Sequence, residues 1–156
     1  MNHNRRLILK GSLAAGAVGV AVGAGLLTPR AAMAAWPKEA FESKDLNTAL
    51  SGAMGSSEMT DSDKIKLKAP DIAENGAVVP VTITSEIDGT TSIGIVVSKN
   101  GMPLTATFNL GANTEGYVST RIKMGKTSDV IAVVKAGGKL YSAKKEVKVT
   151  IGGCGG

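Results

Sequence analysis

Histidine is all but missing. The chain has one, His3, inside a stretch with the marks of a removable leader, so the processed chain would carry none. That takes away the usual general base, the Cys–His pair, the Ser–His–Asp triad and most zinc sites. Cysteine is as scarce. Cys154 stands alone, and one thiol closes no internal disulfide. Aromatics make up 3% of the residues, too few to give nucleic-acid bases a stacking platform. The basic surplus is smaller than it looks. Of the formal +5, four charges belong to Arg5, Arg6, Lys10 and Arg30, and residues 1–34 hold no acidic group. The remainder is a mixed-sign surface with no basic stripe for nucleic acid. What survives these absences is a thiol with no histidine to activate it.

The leader opens with paired arginines, Asn4-Arg5-Arg6-Leu7-Ile8-Leu9-Lys10, ahead of an apolar run over 11–27. Ala32-Met33-Ala34 places small residues at the A-x-A spacing of a cleavage site. Residues 1–34 are expected to be a signal peptide of the twin-arginine type, cut after Ala34. A membrane anchor would need about 20 strongly apolar residues, and this run is short and glycine-rich. The expected location is the periplasm, with no membrane contact after cleavage.

Residues 35–63 are expected to form a helix and a polar linker. Pro37 suits a first helical turn. Leu46, Ala49, Leu50 and Ala53 make one apolar stripe over a helix from Trp36 to Met54. Trp36 and Phe41 lie off that stripe, where they could meet another surface.

From Lys64 the period changes to two. Ile65 and Leu67 alternate with lysines, and Val79, Val81 and Ile83 form the next apolar set. Ile93, Ile95 and Val97 follow, then Leu104, Ala106, Phe108 and Leu110 on one face, then Val118, Ile122 and Met124. Val130 to Val134 is a continuous apolar run, as in a strand covered on both sides, and residues 139–151 form a last strand. Asp88-Gly89 and Gly137-Gly138 mark turns. Seven short strands with frequent turns predict an all-β fold, an immunoglobulin-like β-sandwich over 64–151. Pro80 cannot donate to a ladder, which predicts an edge or bulged strand there.

Three polar groupings read as ordinary surface. Asp71 and Glu74 flank a turn in which Asn75-Gly76 would supply positive φ. Asp61-Ser62-Asp63 lacks the glycine and distant glutamate of a calcium loop. Lys144, Lys145 and Lys148 suit a solvated strand face that could mildly attract anionic cargo.

The segment that points to chemistry is Gly152-Gly153-Cys154-Gly155-Gly156. Glycine leaves the backbone its widest choice of angles, so residues 152–156 are expected to be a flexible arm beyond the sandwich. An unassisted thiol, with a pKa of about 8.5, is only a few per cent thiolate at pH 7. That suits a carrier, which should hold its adduct stably until an enzyme acts on it.

Three stretches carry a resemblance: residues 65–77 (Ile65-Lys66-Leu67-Lys68-Ala69-Pro70-Asp71-Ile72-Ala73-Glu74-Asn75-Gly76-Ala77), residues 117–124, and Val149-Thr150-Ile151-Gly152-Gly153-Cys154-Gly155-Gly156. They closely resemble the SoxY family, the sulfur-carrier subunits of the periplasmic thiosulfate-oxidising system. The resemblance implies a non-catalytic subunit without a cofactor, paired with a SoxZ-like subunit as a heterodimer. It implies that Cys154 holds the substrate covalently, with Gly152, Gly153, Gly155 and Gly156 as its pliable surround. It further implies a haem enzyme that couples thiosulfate to that sulfur, a hydrolase that releases sulfate and, in some species, a sulfane dehydrogenase. Two other classes use the same residues. An exported structural module would use Cys154 only for an intermolecular disulfide. A ubiquitin-like carrier would use the Gly156 carboxylate, but it needs cytoplasmic ATP and a central helix that the pattern lacks.

Overall fold

The computed structural model describes residues 37–150. The leader, Trp36 and the segment 151–156 with Cys154 lie outside the described residues.

Two short helices open this region, α1 (Lys38–Glu42) and α2 (Leu46–Met54). The single helix expected to reach Met54 is broken at Ser43-Lys44-Asp45, and the break has a chemical cause. Asp45 takes an extended conformation and its carboxylate accepts from the Thr48 backbone N–H at 2.8 Å and from the Thr48 hydroxyl at 2.7 Å. It is the N-cap of a new helix. The helix then stops at Gly55, at φ +83, whose N–H returns to Ser51.

Nine strands follow among the described residues, in two sheets. The larger has the order β1-β9-β8-β5-β6, with β3 also on β9; it is built from β1 (Met59–Asp61), β3 (Ile72–Ala73), β5 (Thr90–Val97), β6 (Leu104–Asn109), β8 (Ser128–Ala136) and β9 (Lys139–Val149). The smaller has the order β2-β4-β7, from β2 (Ile65–Lys68), β4 (Val79–Ser85) and β7 (Tyr117–Ile122). Gly137 and Gly138, at φ +56 and +77, join β8 to β9 in a two-residue turn, with Ala136 opposite Lys139. Both central residues need positive φ, which glycine alone adopts without strain.

The all-β sandwich predicted from the alternation is present, and the large sheet is covered on both faces. Toward the small sheet, Ile93, Ile95, Val97, Val130, Ala132, Val134 and Val147 meet Val79, Val81, Ile83 and Ile122. On the other face Val96, Val133 and Leu140 meet Ala40, Ala49, Leu50 and Met54 of the helices. The continuous run at 130–134 therefore belongs to a strand covered on both sides. The helices cover their own domain, and Phe41 packs into the same cluster.

Two expectations change. Leu104 does not share a face with Phe108 and Leu110. The pairing runs Ile95 to Ala106 and Val96 to Leu104, skipping Thr105. That bulge turns Leu104 into the helix-side cluster while Phe108 and Leu110 pack on the sandwich core. Pro80 sits in a strand that has two neighbours, since β4 is central. It is tolerated because the backbone N–H groups of β4 alternate. Ser85 N–H faces β7 through Gly116, so Pro80 faces the β2 side. There β2 has already ended, its last partner pair being Lys68 with Thr82.

Leu50 is wholly buried between helix and sheet. Leu50→Ala is expected to cost about 2–5 kcal/mol, measured as a lower midpoint in urea unfolding at unchanged slope. The Thr48 backbone N–H, then the Thr48 hydroxyl, hold the Asp45 carboxyl below its ordinary value. A depressed folded-state pKa contributes stability at neutral pH that is lost as pH falls through it. The Thr48 amide resonance should thus titrate below the ordinary carboxylate range and stop titrating there in Asp45→Asn.

Candidate functional site: the exit of the last strand

β9 leads directly to residues 151–156, so the site to build from described residues is the place where it leaves the body. Its outer edge would be an open template for another chain. Two short parallel strands cover it. β1 pairs with Leu140–Ser142, where the Asp61 carboxylate also accepts from the Ser142 hydroxyl at 2.6 Å. β3 pairs with Lys148 and Val149 at the far end.

That far end is held on both sides. On one, Lys148 N–H donates to Asp71 O at 2.9 Å and Thr150 N–H donates to Ala73 O at 3.1 Å. On the other, Val149 N–H donates to the Thr127 hydroxyl at 3.0 Å. The strap over residues 69–78 is itself tied down. Lys145 Nζ donates to Ala69 O at 2.6 Å and lies 3.0 Å from the Asp71 carboxylate. Met124 N–H donates to Gly76 O at 2.7 Å, and the Asn75 side chain accepts from Ala77 N–H at 2.9 Å.

Gly76 has a different role from the one its Asn-Gly setting suggests. Neither Asn75 nor Gly76 has positive φ. The requirement is space: a Cβ at Gly76 would lie 2.4 Å from Met124 O and 2.8 Å from Val149 Cγ1. Only a residue without a side chain lets the strap close on the end of β9.

The lysine cluster also divides. Lys144 and Lys148 are exposed, whereas Lys145 is half-buried against the strap. Adjacent strand residues point to opposite faces, so Lys144 and Lys145 could not have shared one. Asp71 is paired to Lys145 and Glu74 is exposed in the strap, so the two carboxylates have separate settings. Sequence reasoning passed over Thr127 and Lys145 as holders of the exit. Strand alternation was the available signal for Lys145; an isolated threonine in a polar turn offers none. Among the described residues, no three His, Cys, Asp or Glu side chains stand together as metal ligands.

Cys154 and the glycines at 152, 153, 155 and 156 lie outside the described residues. The nearest described residue, Thr150, is four residues from Cys154, a span of at most about 13–14 Å when extended.

A profile of the sulfur oxidation protein SoxY matches residues 50–154. The chain belongs to the SoxY family. The solved structure of the sulfur carrier protein SoxY from Chlorobium limicola f thiosulfatophilum shares 46% sequence identity, covers 68% of this chain and 96% of that one, and superposes with a TM-score of 0.62. The reeler domain of human F-spondin shows 9% identity over 60% of this chain and 93% of its own, with a TM-score of 0.44. No curated protein matched. The matched region ends at Cys154. Membership places the protein in sulfur oxidation, in a family of sulfur carriers.

Gly76→Ala is expected to destabilise the domain by about 1–3 kcal/mol through overpacking. Amide hydrogen exchange at Met124 and Thr150 should quicken together. Unchanged exchange at both would remove Gly76 from the hold on the exit.

Proposed function

We propose that Cys154 carries sulfur intermediates covalently in thiosulfate oxidation and presents them to successive periplasmic enzymes. The observation that carries this reading is that the SoxY match extends to the chain's one thiol. The strand leading to it is held by hydrogen bonds up to Thr150, which favours cargo delivered from a fixed origin. The protein is a non-catalytic subunit, exported through its twin-arginine leader and paired with a SoxZ-like subunit.

In the loading step the Cys154 thiol and the outer sulfur of thiosulfate form an S–S bond. One proton leaves, and two electrons pass to the haem enzyme that acts as oxidant. The adduct is a cysteine S-thiosulfonate. In the releasing step water attacks the terminal sulfonate within the hydrolase. The S–SO3 bond breaks, sulfate and a proton depart, and a persulfide remains on Cys154. A sulfane dehydrogenase, where present, oxidises that outer sulfur. Gly152 and Gly153 on one side, and Gly155 and Gly156 on the other, give the loaded cysteine clearance inside narrow enzyme clefts.

Cys154→Ser is expected to abolish loading and leave folding intact. Intact mass after incubation with thiosulfate and the haem enzyme should show the added thiosulfate mass on the natural chain alone. An adduct on the serine variant would refute the assignment. Replacing Gly152 and Gly153 by Val should slow enzyme-dependent turnover and leave the thiol's rate with a small disulfide reagent unchanged.

A further inference from the structure

The hold on the end of β9 differs between its two sides. On the strap side it uses backbone carbonyls, Asp71 O and Ala73 O. On the other side the β8–β9 ladder ends at Ser128 opposite Val147. Past that pair a single side chain takes over from the backbone. The half-buried Thr127 hydroxyl accepts from Val149 N–H at 3.0 Å and donates to Val149 O at 3.5 Å. It meets both backbone groups of Val149, as a neighbouring strand would.

The turn that carries Thr127 is itself fastened at two points. Asn100 Nδ2 donates to Lys123 O at 2.8 Å, and Asn100 Oδ1 accepts from Gly125 N–H at 3.0 Å. Just past Thr127, the hydroxyl of the buried Ser128 accepts from Lys99 N–H at 3.0 Å. Thr127 therefore lies between two sites tied to the loop that follows β5. Its hydroxyl is offered to Val149 from a fixed support.

We propose that Thr127 is a positioning residue for sulfur transfer: its hydroxyl fixes Val149, and with it the point from which Cys154 is presented to an enzyme. The inference rests on Cys154 as the attachment point and adds the side chain that sets its origin. Thr127 acts through the β9 backbone and leaves the thiol's own chemistry alone. Without the hydroxyl, the last anchor on the β8 side moves back from Val149 to Val147. Counted from that side, the tether to Cys154 grows from five residue steps to seven. Effective concentration falls as about the −3/2 power of tether length, so this change lowers it about 1.7-fold. The strap bonds remain on the other edge, and the end of β9 can then pivot about them.

The test uses the full heterodimer carrying Thr127→Val, which keeps the side chain's shape and removes the hydroxyl, or Thr127→Ser, which keeps the hydroxyl. Turnover is measured with the thiosulfate-coupling haem enzyme. Thr127→Val is expected to lower kcat/KM about two- to threefold, with faster amide exchange at Val149. Thr127→Ser should match the natural protein. Cys154 should react with a small disulfide reagent at the natural rate in both. Leu50→Ala weakens the fold on the opposite face of the large sheet and should keep the natural kcat/KM. Natural kcat/KM in Thr127→Val, whether or not Val149 exchange quickens, would overturn the positioning role; alongside an inactive Cys154→Ser it would leave the carrier reading standing. An equal loss in Leu50→Ala would overturn the role by tracing it to general destabilisation, and an equal loss in Thr127→Ser by showing that the hydroxyl is not the cause. Full turnover by Cys154→Ser would overturn both readings.

Discussion

The backbone bonds that close over the outer edge of β9 are the constraint from which the rest follows. A last strand on the rim of a sheet has half its backbone groups unpaired. Here the chain uses residues from β1 and from the strap to satisfy them, so β9 is paired nearly to the final described residue. The path of residues 59–78 is explained by this need. The chain runs beside β9 as β1, crosses to the small sheet as β2, and returns as β3. Without that excursion the exit of β9 would be an edge open to any passing strand. With it, the origin of the Cys154 segment is a defined point on a packed sandwich.

The covering helices meet a second need. The large sheet has buried apolar residues on both faces along the interior strands β5 and β8. One face is covered by the small sheet and the other by α1 and α2. Two glycines let the helices approach closely. A Cβ at Gly52 would be 3.0 Å from Ala40 Cβ, and one at Gly94 would be 2.9 Å from Met54 Sδ. Lys135 then donates to Met54 O at 2.8 Å, satisfying a carbonyl at the end of α2 that the helix cannot. These contacts lie away from the exit and stabilise the sheet that holds it.

Strand alternation was legible because side chains in a half-buried strand obey a period of two without help from the rest of the fold. The sets at Val79-Val81-Ile83 and Ile93-Ile95-Val97 show this, and so does the unbroken run at 130–134. The bulge at Thr105 was not legible, since it is set by how β5 and β6 register, which no local pattern encodes. The helix break was legible in principle. Asp45 followed by Thr48 is a capping arrangement, but the apolar stripe running through Leu46 to Ala53 masked it. Gly76 shows a deeper limit. Its Asn-Gly setting suggested a turn with positive φ, while its actual role depends on Met124 and Val149, distant in sequence. The glycine-flanked thiol stands out in the sequence but lies outside the described residues, whereas the hold on the end of β9 depends on Lys145 and Thr127, whose partners are known only from the fold.

A tethered cargo group faces two opposed demands. A longer tether reaches deeper clefts but dilutes the group near any one partner, because effective concentration falls as the linker lengthens. A shorter one concentrates the group but obliges the partner to come close. On the proposed reading, three residues between Thr150 and Cys154 put this chain at the short extreme. A short tether works only from a fixed base, because movement of the base would spread the thiol as effectively as added length. On the proposed reading, the hydrogen bonds at Lys148, Val149 and Thr150 are therefore part of cargo transfer although none touches sulfur. On the same proposed reading, the fold would serve the chemistry by keeping an unactivated thiol near its anchoring point until an enzyme supplies the activation that a chain without histidine in its body cannot.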